Sequence, residues 1–516
     1  MKILLINPPV IVPSRRYFTE YIFQPIGLAY LAAVLEKEGY KVSILDVLAE
    51  DWENEYMMGG YRYCGLTYDE IGKRIKAYSP DIVGITTPSS RQSRCFHKLA
   101  EVVKMTNNKT VTIIGGVDSS IRPEYYLSNP NIDIAVIGEG ENTLLELVKK
   151  IEAGQEGLMK DVAGIAYRIN GKFVRTPPRK LIENLDLIPF PARHLLPMEK
   201  YFEAARSGRS PRSVSTFGKR WATIVTSRGC PYGCVFCSGR RVWGRRWRAR
   251  SPENVVDEIE YLIREFKIEH LDVEDDNMTL DMKRAGQICE LVVQRKLEIE
   301  WSTPNGVRAD RINENLIIKM KKSGCKRLVF APESGDQRVV NSIIKKNLDL
   351  TKVEEGISLC KKYGIAVNCF FIIGLIGETK DNIRTTLGYA KKLRKMGAEG
   401  CGVYIATPLY GTELYEQAKQ KGYLKDKFSD EDLIYDIPLI ETPEFNADDI
   451  REFYREGLWL NPLLSRSRLK LYIAMTLKNP KRSFALIMDR LFKSHKSKSI
   501  KDRRFCSLDT AYPENE

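Results

Sequence analysis

Short apolar runs alternate with stretches of helical periodicity twice along this chain, and that alternation limits the fold more than any other feature. Residues 2 to about 150 read KILLINPP, PIGLAYLAAVLEKEGY, KVSILDVL, DIVGITTPS, TVTIIGGVD and IDIAVIGEG, the last leading into NTLLELVKKIEAG. Strand-length runs parted by helix-length ones predict β/α units. Five of them imply an open, doubly wound, Rossmann-like parallel sheet whose ligand lies outside the carboxyl ends of the strands. From Trp221 the alternation resumes with ATIVTS, EHLDVED, EIEWSTP, CKRLVFAPES, AVNCFFIIG and GCGVYIATP, separated by stretches such as PENVVDEIEYLIREF and TKVEEGISLCKKYG. Six units predict an α/β barrel or partial barrel with its chemistry at the carboxyl ends of the strands.

The pattern divides the chain at about residues 150, 220 and 425. In 151–220, AGIAYRINGKFVRTPP holds two strand-like runs about Asn170-Gly171, the dipeptide suited to a two-residue hairpin turn, and predicts a hairpin linker. The proline-rich ENLDLIPFPARHLLP predicts an ordered but irregular connection. Residues 426–516 read as helical and increasingly basic. A chain of 516 residues exceeds what one core fills, and 43% hydrophobic with 29% charged residues is the balance of a globular protein. MKILLINPPV lacks the basic and long apolar regions of a secretory leader, and no run reaches the length of a membrane span, so a cytoplasmic location is expected.

Eleven cysteines show no paired disulfide pattern, and three of them cluster. In a reducing compartment such a cluster points to metal or catalysis. Cys230, Cys234 and Cys237 in SRGCPYGCVFC lie on a Gly-containing loop just after a strand, with Phe236 between the last two. Three thiolates bind three irons of a [4Fe-4S] cube and leave the fourth iron open to a chelating substrate. Zinc needs a fourth Cys or His at suitable spacing, and no nearby residue supplies one.

The spacing CxxxCxxC after the first barrel strand resembles the radical S-adenosylmethionine (SAM) superfamily. The resemblance implies that Cys230, Cys234 and Cys237 hold the cluster, that SAM chelates the open iron, and that reductive cleavage yields a 5′-deoxyadenosyl radical. It further implies SAM contacts at Phe236, at Asp275, Asp276 and Asn277 in DVEDDN, at Glu333 and Ser334 in APESG, at Gly374, Gly377 and Glu378 in GLIGE, and at Pro408 in TPLYGTELY. Read by themselves, Asp275 and Asp276 equally suit a helix cap, and the two glycines suit turns. Their succession at strand ends downstream of the triad favours a site. No catalytic residue beyond the cluster loop is assigned.

A five-stranded domain, a hairpin, this barrel and a helical tail together resemble the cobalamin-binding subclass of that superfamily. The resemblance implies that a cobalamin tail enters the first sheet beside Gly115 and Gly116, with Thr86, Thr87, Ser119 and Glu139 as polar neighbours. A Gly-containing turn of any doubly wound domain is the alternative. The DxHxxG motif of many cobalamin proteins is absent; His97 stands alone in a helical SRCFHKLA and reads as a core or surface histidine. Cobalamin without a histidine lower ligand is therefore expected, a state that favours reduction of the cobalt.

The other eight cysteines are widely spaced, which speaks against an auxiliary cluster. By resemblance the reaction is methylation of an unactivated carbon. The alternatives are radical cyclisation or oxidation of a lipid or tetrapyrrole-like substrate, and a non-catalytic cobalamin-binding sensor. An electron donor such as ferredoxin or flavodoxin is implied. GRRVWGRRWRAR, rich in Arg with Trp243 and Trp247, could suit nucleic acid, but so near the triad it suits anionic cofactor or substrate groups, or ion pairs with the next helix, better. Of the net charge of +14, residues 466–504 hold 13 Lys or Arg against Asp489 and Asp502, a local excess of +11. Phe484, Ile487, Met488 and Leu491 share one helical face there, so the segment suits either packing on the barrel or peripheral contact with an anionic membrane, with a small-molecule or lipid substrate.

Overall fold

A computed structural model describes residues 1–12, 22–209 and 213–460. The basic segment 466–504 and Cys506 lie outside the described residues.

The first half is built on strands β1 (Lys2–Asn7), β2 (Lys41–Asp46), β3 (Ile82–Thr86), β4 (Val111–Gly115) and β5 (Ile134–Val136). They run parallel, with Ile3 beside Val42 on one side and Ile82 on the other. Two more strands, β6 (Ile165–Ile169) and β7 (Lys172–Arg175), complete the order β7-β6-β5-β4-β3-β1-β2. Alternation within each strand sorts its side chains into two layers. Ile3, Leu5 and Ile113 pack with Leu28, Ala32 and Leu147, while Leu4, Ile6 and Ile114 pack with Ile71, Phe96 and Leu99. The order reverses between β1 and β3, the switch point at which such sheets bind ligands.

The hairpin at Asn170-Gly171 forms, with Asn170 at φ 51° and Gly171 at φ 75°. It is no free linker, because β6 pairs antiparallel with β5, Ile134 opposite Tyr167, and the hairpin becomes the edge of the sheet. A three-stranded sheet of Val10–Val12, Glu55–Met58 and Tyr61–Cys64, which the alternation does not predict, packs Ile11 and Tyr63 into the layer of Leu4 and Ile6.

The second half has strands β8 (Trp221–Ile224), β9 (His270–Val273), β10 (Glu300–Val307), β11 (Cys325–Glu333), β12 (Ala366–Ile373) and β13 (Gly400–Ile405). All six pair in parallel and in chain order, and β13 does not close onto β8, so the barrel is partial. Along β12 every second residue is buried, from Val367 to Ile373, against the outer helices. The helix Pro252–Phe266 shows how local sequence sets these helices: Ser251 accepts the Asn254 amide at 3.2 Å, Pro252 takes the first turn, and Lys267 ends it in the left-handed region.

The proline-rich connection is irregular but anchored. Arg193, fully buried, donates to Glu258 Oε1 at 2.6 Å and to the Thr223 carbonyl at 2.7 Å, and Arg250 pairs with the other Glu258 oxygen. Among the described residues no helix is long and apolar enough to cross a membrane.

Candidate active site

The three cysteines sit on a loop closed by a short ribbon, in which Ser227–Arg228 pairs antiparallel with Arg248–Ala249. Gly229 begins the loop at φ 85°, and a Cβ there would fall 2.4 Å from the Arg246 carbonyl oxygen, so only glycine fits. Its amide donates to Asp276 Oδ2 at 3.1 Å. The Cys237 amide donates to the Cys234 carbonyl, and Val235 is bonded through its amide to Ile344 and through its carbonyl to Leu414, which fastens the loop over the barrel. Phe236 and Cys234 pack on the apolar group of Val235, Val339, Ile344, Leu375 and Leu414.

Burial raises all three thiols, Cys234 to about 11, and Cys237 is raised although it is exposed on the loop. Lys346 opposes this rise at each thiol, joined by Arg308 at Cys230. Thiols held this high stay protonated until a metal displaces the proton. Among the described residues no three His, Cys, Asp or Glu groups converge as on one ion. A cubane does not require it, because each thiolate takes its own iron, and the donor set of three cysteines on one loop fits a cluster with one open iron.

The strand-end residues differ in what they have free. Asp275 is saturated: Oδ1 accepts the Thr226 amide at 2.6 Å, and Oδ2 accepts Thr226 Oγ1 at 2.5 Å and Ser227 Oγ at 2.6 Å. It therefore holds the ribbon. Asp276 keeps one oxygen on Gly229, and burial raises its carboxyl. Asn277 is buried with neither side-chain polar atom bonded. Glu333, buried and at φ 69°, pairs with Lys346 at 2.7 Å. Ser334 shares a 2.8 Å bond with Thr386 and accepts the Asp336 amide. Gly374 and Gly377 flank a tight turn, a Cβ at Gly374 meeting Ile450 at 3.3 Å. Glu378 closes that turn by accepting the Leu375 amide at 2.8 Å; its other oxygen is unbonded, and burial pushes the carboxyl up to about 8. Pro408 is buried in the loop after β13.

Two cations near the cysteines had no sequence signal. Arg308 lies 3.7 Å over the Tyr232 ring and donates to the Lys346 and Asn347 carbonyls at 2.8 and 2.7 Å. Glu333, Lys345 and Asn347 all carry positive φ, so the backbone around Lys346 is strained. Such strain gathers at functional sites.

A cavity of about 320 Å³ opens at the switch point of the first sheet and extends to the ribbon at Ser227 and Arg228. Thr86, Gly115, Gly116 and Glu139 line it, facing Arg228, Trp243 and Asp276. At Gly116, φ is 122° and a Cβ would stand 3.0 Å from the Thr87 amide, so the chain turns there without a side chain. Thr87 and Ser119 stand behind the wall: Thr87 donates twice to the Gly115 carbonyl, and the Ser119 amide donates to Thr87 Oγ1 at 3.1 Å. Tyr30, Leu31, Val136 and Leu144 make the rest largely apolar, and among the described residues no histidine lines it. His97 lies elsewhere, its ring 5.3 Å from that of Tyr126 and its Nδ1 3.2 Å from Asn129 Nδ2. A largely apolar cavity with bare backbone at Gly115 and Gly116 fits a corrinoid.

Comparison with known proteins agrees with this geometry. The family model described as the radical SAM superfamily matches residues 224–390, and the B12 binding domain matches residues 19–148. The chain is 34% identical to the cytidylyl-2-hydroxyethylphosphonate methyltransferase of Streptomyces wedmorensis over 87% of this chain and 88% of that one. It is 35% identical to an uncharacterised methyltransferase of Pyrococcus horikoshii, over 89% and 91%. An anaerobic magnesium-protoporphyrin IX monomethyl ester cyclase of Rubrivivax gelatinosus is 30% identical over 77% of this chain and 66% of its own length. The fold is also that of the solved methyltransferase TsrM of Kitasatospora setae, with a TM-score of 0.65 at 18% identity over 88% of this chain and 84% of that one. The solved radical enzyme OxsB gives 0.68 at 17% over 94% and 72%.

A partial barrel with three cysteines on one loop, joined to a parallel sheet with a cavity at its switch point, is the architecture of a SAM-cleaving enzyme of cobalamin-dependent type. The chain belongs to the radical SAM superfamily, in the branch that carries a B12-binding domain ahead of the barrel. Its cofactors are a [4Fe-4S] cluster, SAM and cobalamin.

Proposed function

We propose that this enzyme transfers a methyl group to an unactivated carbon of a small molecule. The observation that carries the reading is the cavity, because a corrinoid in it and a cluster on the ribbon would share the wall made by Ser227, Arg228 and Trp243. The methyltransferase relative alike over 87% of the chain supports it. When bound, the cluster supplies the electron that cleaves SAM, and the corrinoid carries the methyl group.

This chain's own residues hold and orient. Cys230, Cys234 and Cys237 hold the cluster. Asp275 fixes the ribbon, while Asp276 and the unspent amide of Asn277 are placed for the SAM amino group. The Glu333–Lys346 pair and Arg308 offer charge to its carboxylate and ribose. Phe236, the turn Gly374–Glu378 and Pro408 flank the nucleoside. Gly115, Gly116 and Thr86 admit the corrinoid tail, backed by Thr87, Ser119 and Glu139. Tyr30 and Trp243 exclude water from the slot, which keeps the reacting groups oriented and dry. A small ferredoxin or flavodoxin is the fitting electron donor.

The test is mass spectrometry of a reduced, cobalamin-loaded reaction supplied with methyl-deuterated SAM and a candidate substrate. Methyl transfer gives 5′-deoxyadenosine together with S-adenosylhomocysteine and a product carrying the label. Release of 5′-deoxyadenosine without S-adenosylhomocysteine would exclude it, and a product two hydrogens lighter would mark ring closure, the activity named for the cyclase relative. For the basic segment 466–504 the proposal is contact with an anionic surface. Co-sedimentation with anionic liposomes should be lost on deleting residues 466–516, and unchanged sedimentation would end that idea.

A further inference from the structure

The charges between the two halves do more than join them. Arg228 and Arg248 stand opposite each other on the two strands of the ribbon that bears the cluster loop. Both reach into the first half. Arg228 pairs with Glu139 at 3.0 Å and with Glu141 at 2.6 Å, and Arg248 pairs with Glu139 at 2.9 Å. Each of these four side chains is no more than 7% exposed. Two acids answer two bases, so the buried group is neutral as a whole, and withdrawing any one member strands a charge.

The position of the group matters as much as its strength. Glu139, on the loop after β5, and Glu141, the first residue of the helix Glu141–Glu152, bracket Gly140, and both line the cavity together with Arg228. The Arg228 guanidinium lies 5.3 Å from the Tyr30 ring and 5.4 Å from the Trp243 ring, which also form the wall. Arg228 is two residues before Cys230 on a ribbon with no slack, since Gly229 is wedged under the Arg246 carbonyl and bonded to Asp276. The helix Gly239–Trp243, which follows Cys237, packs on Val117–Ile121, which follows Gly116. A clamp that served folding alone would not need to face the cavity.

We propose that Arg228, held by Glu139 and Glu141, is a positioning residue that couples the corrinoid cavity to the cluster loop, so that filling the cavity changes the surroundings of the cluster. A corrinoid against Tyr30 and Trp243 removes water from beside the ion pairs, strengthens them, and draws the base of the ribbon into one arrangement. Coupling is reciprocal, so a built cluster also tightens corrinoid binding by the same factor. The inference rests on the cofactors assigned above and not on methyl transfer.

The experiment uses the full chain, reconstituted anaerobically with iron and sulfide, with and without hydroxocobalamin. Wild type, Glu141→Gln and Arg228→Lys are compared by electron paramagnetic resonance of the reduced cluster, by the cluster midpoint potential, and by titration of hydroxocobalamin. In wild type, hydroxocobalamin shifts the resonance and the potential. Glu141→Gln, with full iron content and an unchanged circular dichroism spectrum, loses the shift and binds hydroxocobalamin about tenfold more weakly. Arg228→Lys keeps the charge without the two-pronged geometry and regains part of the shift. A wild-type cluster indifferent to hydroxocobalamin overturns the proposal, and so does a Glu141→Gln protein with the wild-type shift. Should Glu141→Gln not fold, Arg228→Lys decides alone: a wild-type shift with wild-type affinity overturns the coupling, and a diminished shift sustains it. Linkage without labelled product would leave the coupling standing and remove methyl transfer; labelled product without linkage would do the reverse.

Discussion

Asn277 offers a test that separates a ligand contact from a structural one. Its amide is buried and unbonded, so in the free protein it costs stability. Asn277→Leu is therefore expected to leave the melting temperature unchanged or raised while weakening SAM binding about tenfold, read by calorimetric titration of the cluster-loaded enzyme. Glu378 gives a pH test. Its carboxyl stands at about 8 in the fold against an ordinary 4.5, so its contribution is fully present below 4.5 and is lost as pH rises through about 8. Thermal melts from about pH 6 to about pH 9 should show wild type losing stability relative to Glu378→Gln. At this scale the sequence was readable where chemistry is local. The three cysteines stand close together in the chain, so their grouping shows in the sequence, whereas the partners of Asp275 are Thr226 and Ser227, nearly fifty residues away. Arg308 and Lys346 reach the thiols only through the barrel's curvature, and nothing beside them in the chain announces it.

Among the elements, the anchor of the irregular connection is the most exposed to failure. Burial alone would raise the Glu258 carboxyl, but the Arg193 and Arg250 guanidiniums prevail and hold it below the usual range. Its stability is present above the ordinary value and lost as pH falls. Glu258→Gln strands two buried guanidiniums and should cost about 3–5 kcal/mol in chemical denaturation, with a weaker acid dependence than wild type. Among the described residues the eleven parallel strands were legible, because strand and helix periods alternate cleanly and caps such as Ser251 mark the starts. The small sheet was not. Gly59-Gly60 between EYMM and YRYC is a hairpin signal in itself, but the two runs are short and fall between units of the β/α alternation, outside its rhythm.

For the whole molecule, a ligand that binds only the folded state stabilises it by mass action. Hydroxocobalamin at about one hundred times its dissociation constant should add about 2.7 kcal/mol, seen as a higher melting temperature. The order of domains could be read from the chain; their joint could not, since Glu139 reads as a cofactor neighbour and Arg248 as a partner of anionic groups or of the next helix, and only the packing of the two halves pairs them. The hairpin carries a last consequence for anyone recombining such enzymes. Because β6 covers the flank of β5, a break at residue 150 would leave a row of unpaired amides along the sheet, a template on which copies could add to one another. A transplantable first module therefore runs through Arg175, and a graft cut before the hairpin should be recovered as aggregate.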